Sequence, residues 1–190
     1  MFIQNASAAT LLIWGDSLSA AYGIAQETAW PKLLEQKLQS EGYRYPVINA
    51  SISGETSAGG RVRLPAALAE HKPAVVIIEL GANDGLRGLP IAALRSNLDS
   101  MIRAAQGAGA KVLLIGMRMP PNFGPQYTGK FQETYATLAK EHKTALLPFL
   151  FEGFATREEL FQGDNLHPTS PAQPLILQNI WPLLKPLLKK

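Results

Sequence analysis

Apolar residues along this 190-residue chain alternate between two rhythms. Short, nearly unbroken apolar runs occur at Leu11–Trp14, Tyr45–Asn49, Ala74–Leu80, Lys111–Met117 and Ala145–Phe149. Runs of this length without polar alternation predict strands covered on both faces. Between them the apolar positions take helical spacing. Trp30, Leu33, Leu34 and Leu38 share one face of a helix that Gly42 would end. Val62, Leu64, Ala67 and Leu68 mark a helix over Arg61–Glu70, stopped by Pro73. Ile91, Leu94, Leu98, Ile102 and Ala105 give the clearest stripe, closed by Gly107 and Gly109. Phe131, Tyr135, Leu138 and Ala139 form another, and a last helix is expected from about Ser170 to Leu188. Strand and helix in alternation, with right-handed crossovers, predict an α/β fold: a three-layer α/β/α sandwich on about five parallel strands. No repeat or linker divides the chain, so residues 10–190 read as a single domain behind a leader of residues 1–9.

The first strand breaks off into Gly15-Asp16-Ser17-Leu18, which puts a hydroxyl at the carboxyl edge of the sheet, where open α/β sheets hold their ligands. A serine there is a turn residue or a nucleophile, and a nucleophilic serine needs a base. Three histidines exist. His71 and His142 fall at polar helix ends, where solvated or capping histidines are ordinary. His167 lies in Gly163-Asp164-Asn165-Leu166-His167-Pro168, with Pro168 biasing it away from helix. Asp164, three residues earlier, can fold back onto the ring N–H, fixing its tautomer and favouring the imidazolium. The competing reading is a cap in which Asp164 or Thr169 starts the last helix; beside the Gly-Asp-Ser turn, catalysis is the better account.

Acyl transfer also needs donors aimed at a developing oxyanion. The Ser17 amide is one candidate. Gly54, after the second strand, permits close backbone approach, and Asn83, after Gly81, offers a side-chain amide. Each has a plainer reading: Ser53-Gly54 as a hinge into a helix capped by Thr56 or Ser57, and Asn83-Asp84-Gly85 as a tight turn. Asp16 and Asp84 are rival carboxylates, better placed to hold local backbone N–H groups than to orient His167. Two loops rich in Pro, Gly and large apolar residues, Gly85–Pro90 and Met119–Gly129, are candidates for a pocket lining through Leu86, Leu89, Met119 and Phe123. The alternative for these side chains is the core.

Composition adds exclusions. With no cysteine there is neither disulfide nor thiolate chemistry, and the histidines lack metal-ligand spacing. No Gly-x-Ser-x-Gly elbow, Walker loop or dinucleotide fingerprint is present, so neither metal nor cofactor is expected. A net charge of +3 with dispersed cations gives no nucleic-acid footprint. No apolar run approaches the roughly 18 residues of a membrane span. Ala6-Ser7-Ala8 has the small-x-small form of a signal-peptidase site, which suggests an exported, periplasmic or secreted protein.

Taken together, Gly15-Asp16-Ser17-Leu18, Gly54, Gly81-Ala82-Asn83-Asp84 and Asp164-x-x-His167 resemble, in order, the four blocks of the SGNH (GDSL) hydrolases. The resemblance runs from Leu11 to the last helix and implies a flavodoxin-like sandwich. It makes Ser17 the nucleophile, His167 the base, Asp164 the orienting acid, and the Ser17 amide, Gly54 amide and Asn83 side chain the oxyanion hole. Asn49–Ser57, Glu79–Gly88 and Leu146–Phe149 are similar to the bacterial periplasmic TesA-type branch, whose members act as acyl-CoA thioesterase, lysophospholipase and arylesterase. A small-molecule acyl ester or thioester is the substrate this implies. A carbohydrate O-acetylesterase, and a non-catalytic small-molecule binder of the same fold, are the alternatives. Trp14 departs from the branch, where a smaller aliphatic residue precedes the Gly-Asp-Ser turn, and a ring there could reshape the pocket.

Overall fold

The computed structural model describes residues 9–190; the Ala6-Ser7-Ala8 motif lies outside the described residues. Five strands, β1 (Leu11–Gly15), β2 (Val47–Asn49), β3 (Val75–Glu79), β4 (Lys111–Ile115) and β5 (Ala145–Leu147), pair in parallel in the order β2-β1-β3-β4-β5. The sequence places all five; pairing trims four of them and extends β1 by Gly15. The two central strands are buried along their whole length, as their unbroken apolar character requires.

Helices α1 (Trp30–Ser40) and α6 (Gln173–Leu184) pack together on one face. α2 (Ser57–His71), α4 (Ile91–Gly107) and α5 (Pro125–His142) form a row on the other. The expected three-layer sandwich is therefore observed. Three boundaries differ from the sequence reading. α2 starts at Ser57, with the Thr56 hydroxyl accepting from the Gly59 amide, and it ends at Lys72 in the left-handed conformation, one residue before Pro73. Its Val62 faces solvent, 70% exposed, so only Leu64, Ala67 and Leu68 serve the core. Residues 125–129 belong to α5, because Pro125 opens that helix, as proline can at a first helical position. Asn83-Asp84-Gly85 is not a tight turn but the middle of a one-turn helix, α3 (Ala82–Leu86).

Trp14 is packed into the core, 1% exposed, with its indole N–H donating to the Gly60 carbonyl of α2. It does not line the cavity described below, which removes the expectation that its ring reshapes a pocket.

The segments at the carboxyl ends of the strands hold the candidate site residues, and each has a local reason for its shape. After β1 the Asp16 side chain accepts from the Leu18 amide, and its carbonyl accepts from Ser19 and Ala20, which curls the chain and leaves Ser17 at the apex. After β3, Gly81 has φ +121°, a conformation that disfavours side chains, and a Cβ there would strike the Tyr135 hydroxyl. Tyr135 uses that hydroxyl to donate to the Leu80 carbonyl, pinning the end of β3 to α5.

Candidate active site

Ser17, from the first segment, and His167, from the last, meet across 150 residues of chain. The Ser17 Oγ lies 2.9 Å from His167 Nε2, and His167 Nδ1 lies 2.6 Å from Asp164 Oδ2. The other Asp164 oxygen accepts from the Leu166 and His167 amides, so one carboxylate both folds the turn and faces the ring. Asn165 at φ +57° makes that turn possible. The turn is anchored from outside: Phe161 and Pro168 bridge antiparallel, and the Gln162 amide donates to the His167 carbonyl. Of the capping alternatives, Thr169 does stand at the N-cap of the short helix that starts at Ser170, though its side chain makes no capping hydrogen bond, whereas Asp164 caps no helix and is engaged within its own turn.

Burial opposes charge on Asp164, but the His167 and Leu166 amides and the His167 ring outweigh it and hold the carboxyl at about 2. It is thus an anion throughout the range in which an imidazole exchanges protons. Tyr22, half exposed, tilts over the His167 ring with centroids 4.4 Å apart. The other histidines stay apart: His71 ends α2 beside Glu70, and His142 ends α5 with Nε2 2.7 Å from Asp99.

The oxyanion candidates converge unequally. Among the described residues, the Ser17 and Gly54 amides donate to no protein acceptor. Gly54 has φ +80°, and its carbonyl is tied to Arg87. The Asn83 side-chain amide donates to Asp16 Oδ2 and to the Glu55 carbonyl, both at 3.0 Å, so it bridges the first two segments. Asp84 does not face His167. It accepts from the amide and hydroxyl of Ser57 at the start of α2.

Below the serine turn lie two buried carboxylates, Asp16 and Glu79, of which sequence reasoning singled out only Asp16. Glu79, at the end of β3, accepts from the Ser19 hydroxyl at 2.8 Å and from the Asp16 amide at 3.4 Å. Burial and the neighbouring Asp16 push its carboxyl well above the usual range. Burial pushes Asp16 up to about 6, against the pull of the Leu18 amide, His167 and Asn83. Since the folded value lies above the ordinary one, the associated stability is full below about pH 4 and is lost as pH rises through 6. Asp16→Asn removes that loss. Denaturant unfolding should show the variant gaining stability relative to wild type as pH rises from about 4 to about 7.5.

Ser17 and His167 open onto a cavity of about 540 Å³. Leu86 and Met119, named from sequence, line it together with Met117, Phe149, Phe151 and Phe161. Gly54, Leu89 and Phe123 are not part of that lining. Phe123 stacks on Tyr127 instead, and the Leu89 carbonyl accepts from the Tyr127 hydroxyl. The phenylalanines are a missed signal: four of the chain's seven fall between residues 149 and 161, with Phe149 and Phe161 edge-on to Phe151 and Phe154 tilted against it. At the rim the Arg118 guanidinium sits 4.5 Å over the Phe149 ring.

Residues 13–173 match the model of the GDSL-like lipase/acylhydrolase family. The chain is 54% identical over 188 residues to the esterase TesA of Pseudomonas aeruginosa, covering 99% of this chain and 94% of that protein. It is 44% identical over 184 residues to thioesterase 1/protease 1/lysophospholipase L1 of Escherichia coli, covering 97% and 87% respectively. A crystal structure of TesA superposes with a TM-score of 0.92 at 55% identity, covering 94% of this chain and 99% of that one. The psychrotrophic esterase EstA of a Pseudoalteromonas species, inhibited by monoethylphosphonate, gives 0.89 at 43%, covering 93% and 97%. The chain belongs to the GDSL-like lipase/acylhydrolase family.

Proposed function

We propose that the chain hydrolyses carboxylic esters and thioesters of acyl chains through an acyl-enzyme on Ser17. The observation that carries this reading is the continuous Ser17–His167–Asp164 hydrogen-bond chain opening onto an apolar cavity. His167 Nε2 takes the Ser17 proton as Oγ attacks the acyl carbonyl. Asp164, anionic and close to Nδ1, favours the imidazolium that forms. The oxyanion receives the uncommitted Ser17 and Gly54 amides, and Asn83 shares one of its protons with it. The imidazolium then protonates the departing oxygen or sulfur as the tetrahedral intermediate collapses, releasing an alcohol, phenol or thiol. Water, deprotonated by the same imidazole, releases the acid from Ser17.

Leu86, Met117, Met119 and the phenylalanines are suited to an acyl chain, bound by burial at about 0.8 kcal/mol per methylene. A sugar acetyl would leave most of this cavity empty. The names of the relatives add leaving groups: esterase, arylesterase (from Vibrio mimicus, 45% identical), thioesterase and lysophospholipase. Among the described residues no helix is long and apolar enough to cross a membrane. The Ala6-Ser7-Ala8 motif supports an exported, periplasmic placement.

The test is hydrolysis of p-nitrophenyl esters from acetate to palmitate. kcat/KM should rise about threefold to fourfold per added methylene until the cavity is filled, then level. Activity confined to acetate would point instead to an O-acetylesterase, and no turnover at any length to a binding protein.

A further inference from the structure

Arg63, on the second turn of α2, has no part in the chemistry described above, yet it holds both ends of the segment that carries Gly54. Its Nε donates to the Glu55 carboxylate at 2.6 Å, and its two terminal nitrogens reach the Ala50 carbonyl at 3.4 Å each. The guanidinium carbon stands 4.1 Å from the centroid of the Trp14 ring. Trp14 is itself fixed, buried and bonded to Gly60. The sequence departure at Trp14 thus has a structural use: it is a platform for a cation rather than a wall of the pocket.

The segment between these two anchors has few other ties. The Ser51 amide donates to the Asn49 side chain, the Ile52 amide to the Gly15 carbonyl and the Glu55 amide to the Ile52 carbonyl. Arg87 donates to the Gly54 carbonyl from an exposed position, and residues 52–54 are exposed. The Glu55 carbonyl is one of the two acceptors of the Asn83 amide. The position of Glu55 therefore bears on the Gly54 amide and on Asn83 alike. Two glycines at the start of α2 keep the arrangement open. A Cβ on Gly59 would strike the Glu55 carboxylate, and one on Gly60 would crowd the Trp14 indole nitrogen and Leu80. Adjacent glycines weaken a helix, so their presence there fits a need for close approach.

We propose that Arg63 is a positioning residue for the oxyanion site, a clamp seated on Trp14 that fixes the Ala50–Glu55 turn and through it the Gly54 amide and Asn83. This rests on the assignment of Gly54 and Asn83 as oxyanion donors. A donor misplaced by a fraction of an ångström stabilises the transition state less while leaving the acyl cavity intact. The signature is a fall in kcat without a matching rise in KM.

The experiment compares wild type, Arg63→Met, Arg63→Lys and Asn83→Ala on p-nitrophenyl butyrate, below the unfolding midpoint of each variant. Arg63→Met keeps an apolar stem on Trp14 and removes both anchors. Its kcat should fall roughly tenfold to a hundredfold, with KM within about twofold of wild type. Arg63→Lys, able to reach one anchor, should lie between. A butylboronic acid, whose tetrahedral adduct on Ser17 needs the oxyanion donors, should lose affinity for Arg63→Met in the same proportion. 1-Octanol, which fills the cavity and uses no donor, should inhibit both proteins equally. Wild-type kcat in Arg63→Met beside a crippled Asn83→Ala would overturn the clamp and leave the oxyanion assignment standing. Equal losses for boronate and octanol would also overturn it, by showing a general disturbance of the site. Full activity in Asn83→Ala would remove the assignment on which the clamp rests.

Discussion

Ser17→Ala is expected to lower kcat for ester hydrolysis by a factor on the order of 10⁴–10⁶, with the protein still folded. The expectation of retained folding comes from the site itself, where the Ser17 hydroxyl has one hydrogen-bond partner, His167 Nε2. His167→Ala should cost a similar factor. The double variant should be little worse than either single one, because nucleophile and base act in one step and their losses do not add. Steady-state rates of the three proteins on one p-nitrophenyl ester, corrected for uncatalysed hydrolysis, check both statements. A double variant slower than Ser17→Ala by another factor of 10⁴ would mean that the two residues act independently.

Asn83→Ala is expected to lower kcat roughly 10²–10³-fold, the usual effect of losing one oxyanion donor, with KM nearly unchanged. Asn83→Asp is the sharper substitution. It keeps the shape of the side chain but turns a donor into an anion facing both Asp16 Oδ2 and the developing oxyanion. Its kcat should fall below that of the alanine variant at pH 8, and the gap should narrow as acid neutralises the carboxylates. Initial rates of the two variants between pH 5 and 8 decide the matter. An aspartate variant faster than the alanine variant at pH 8 would remove Asn83 from the oxyanion site.

Much of this was legible in the sequence because the fold and the site are written in short local patterns. Unbroken apolar runs are what a parallel sheet between two helix layers demands, so all five strands can be read from them. Asp164 and His167 were readable as a pair because a Gly-Asp-Asn turn can bring residues three apart face to face, and the structure uses that turn. What escaped depends on contacts between distant segments. Val62 sits at helical spacing yet points to solvent, since one apolar residue says nothing about which side of its helix meets the sheet. Loop composition groups Leu89 and Phe123 with Leu86 and Met119, but Tyr127 holds the first by its carbonyl and stacks on the second, outside the cavity lining. The aromatic wall of Phe149, Phe151 and Phe161 closes only when the chain after β5 folds back. Glu79 left a trace, a lone acid ending the run Val75-Val76-Ile77-Ile78, but its partners Ser19 and Asp16 are some 60 residues away.

The central claim is that Ser17 is the nucleophile that becomes acylated, and the most direct measurement is covalent capture. Incubation with an alkyl p-nitrophenyl phosphonate, followed by intact mass and peptide mapping, should show one phosphonyl group per chain. The adduct should lie on the peptide containing Gly15-Asp16-Ser17-Leu18, and its formation should parallel loss of esterase activity. His167→Ala should label far more slowly, for want of the base. Labelling at another serine, or full inactivation without a Ser17 adduct, would contradict the account.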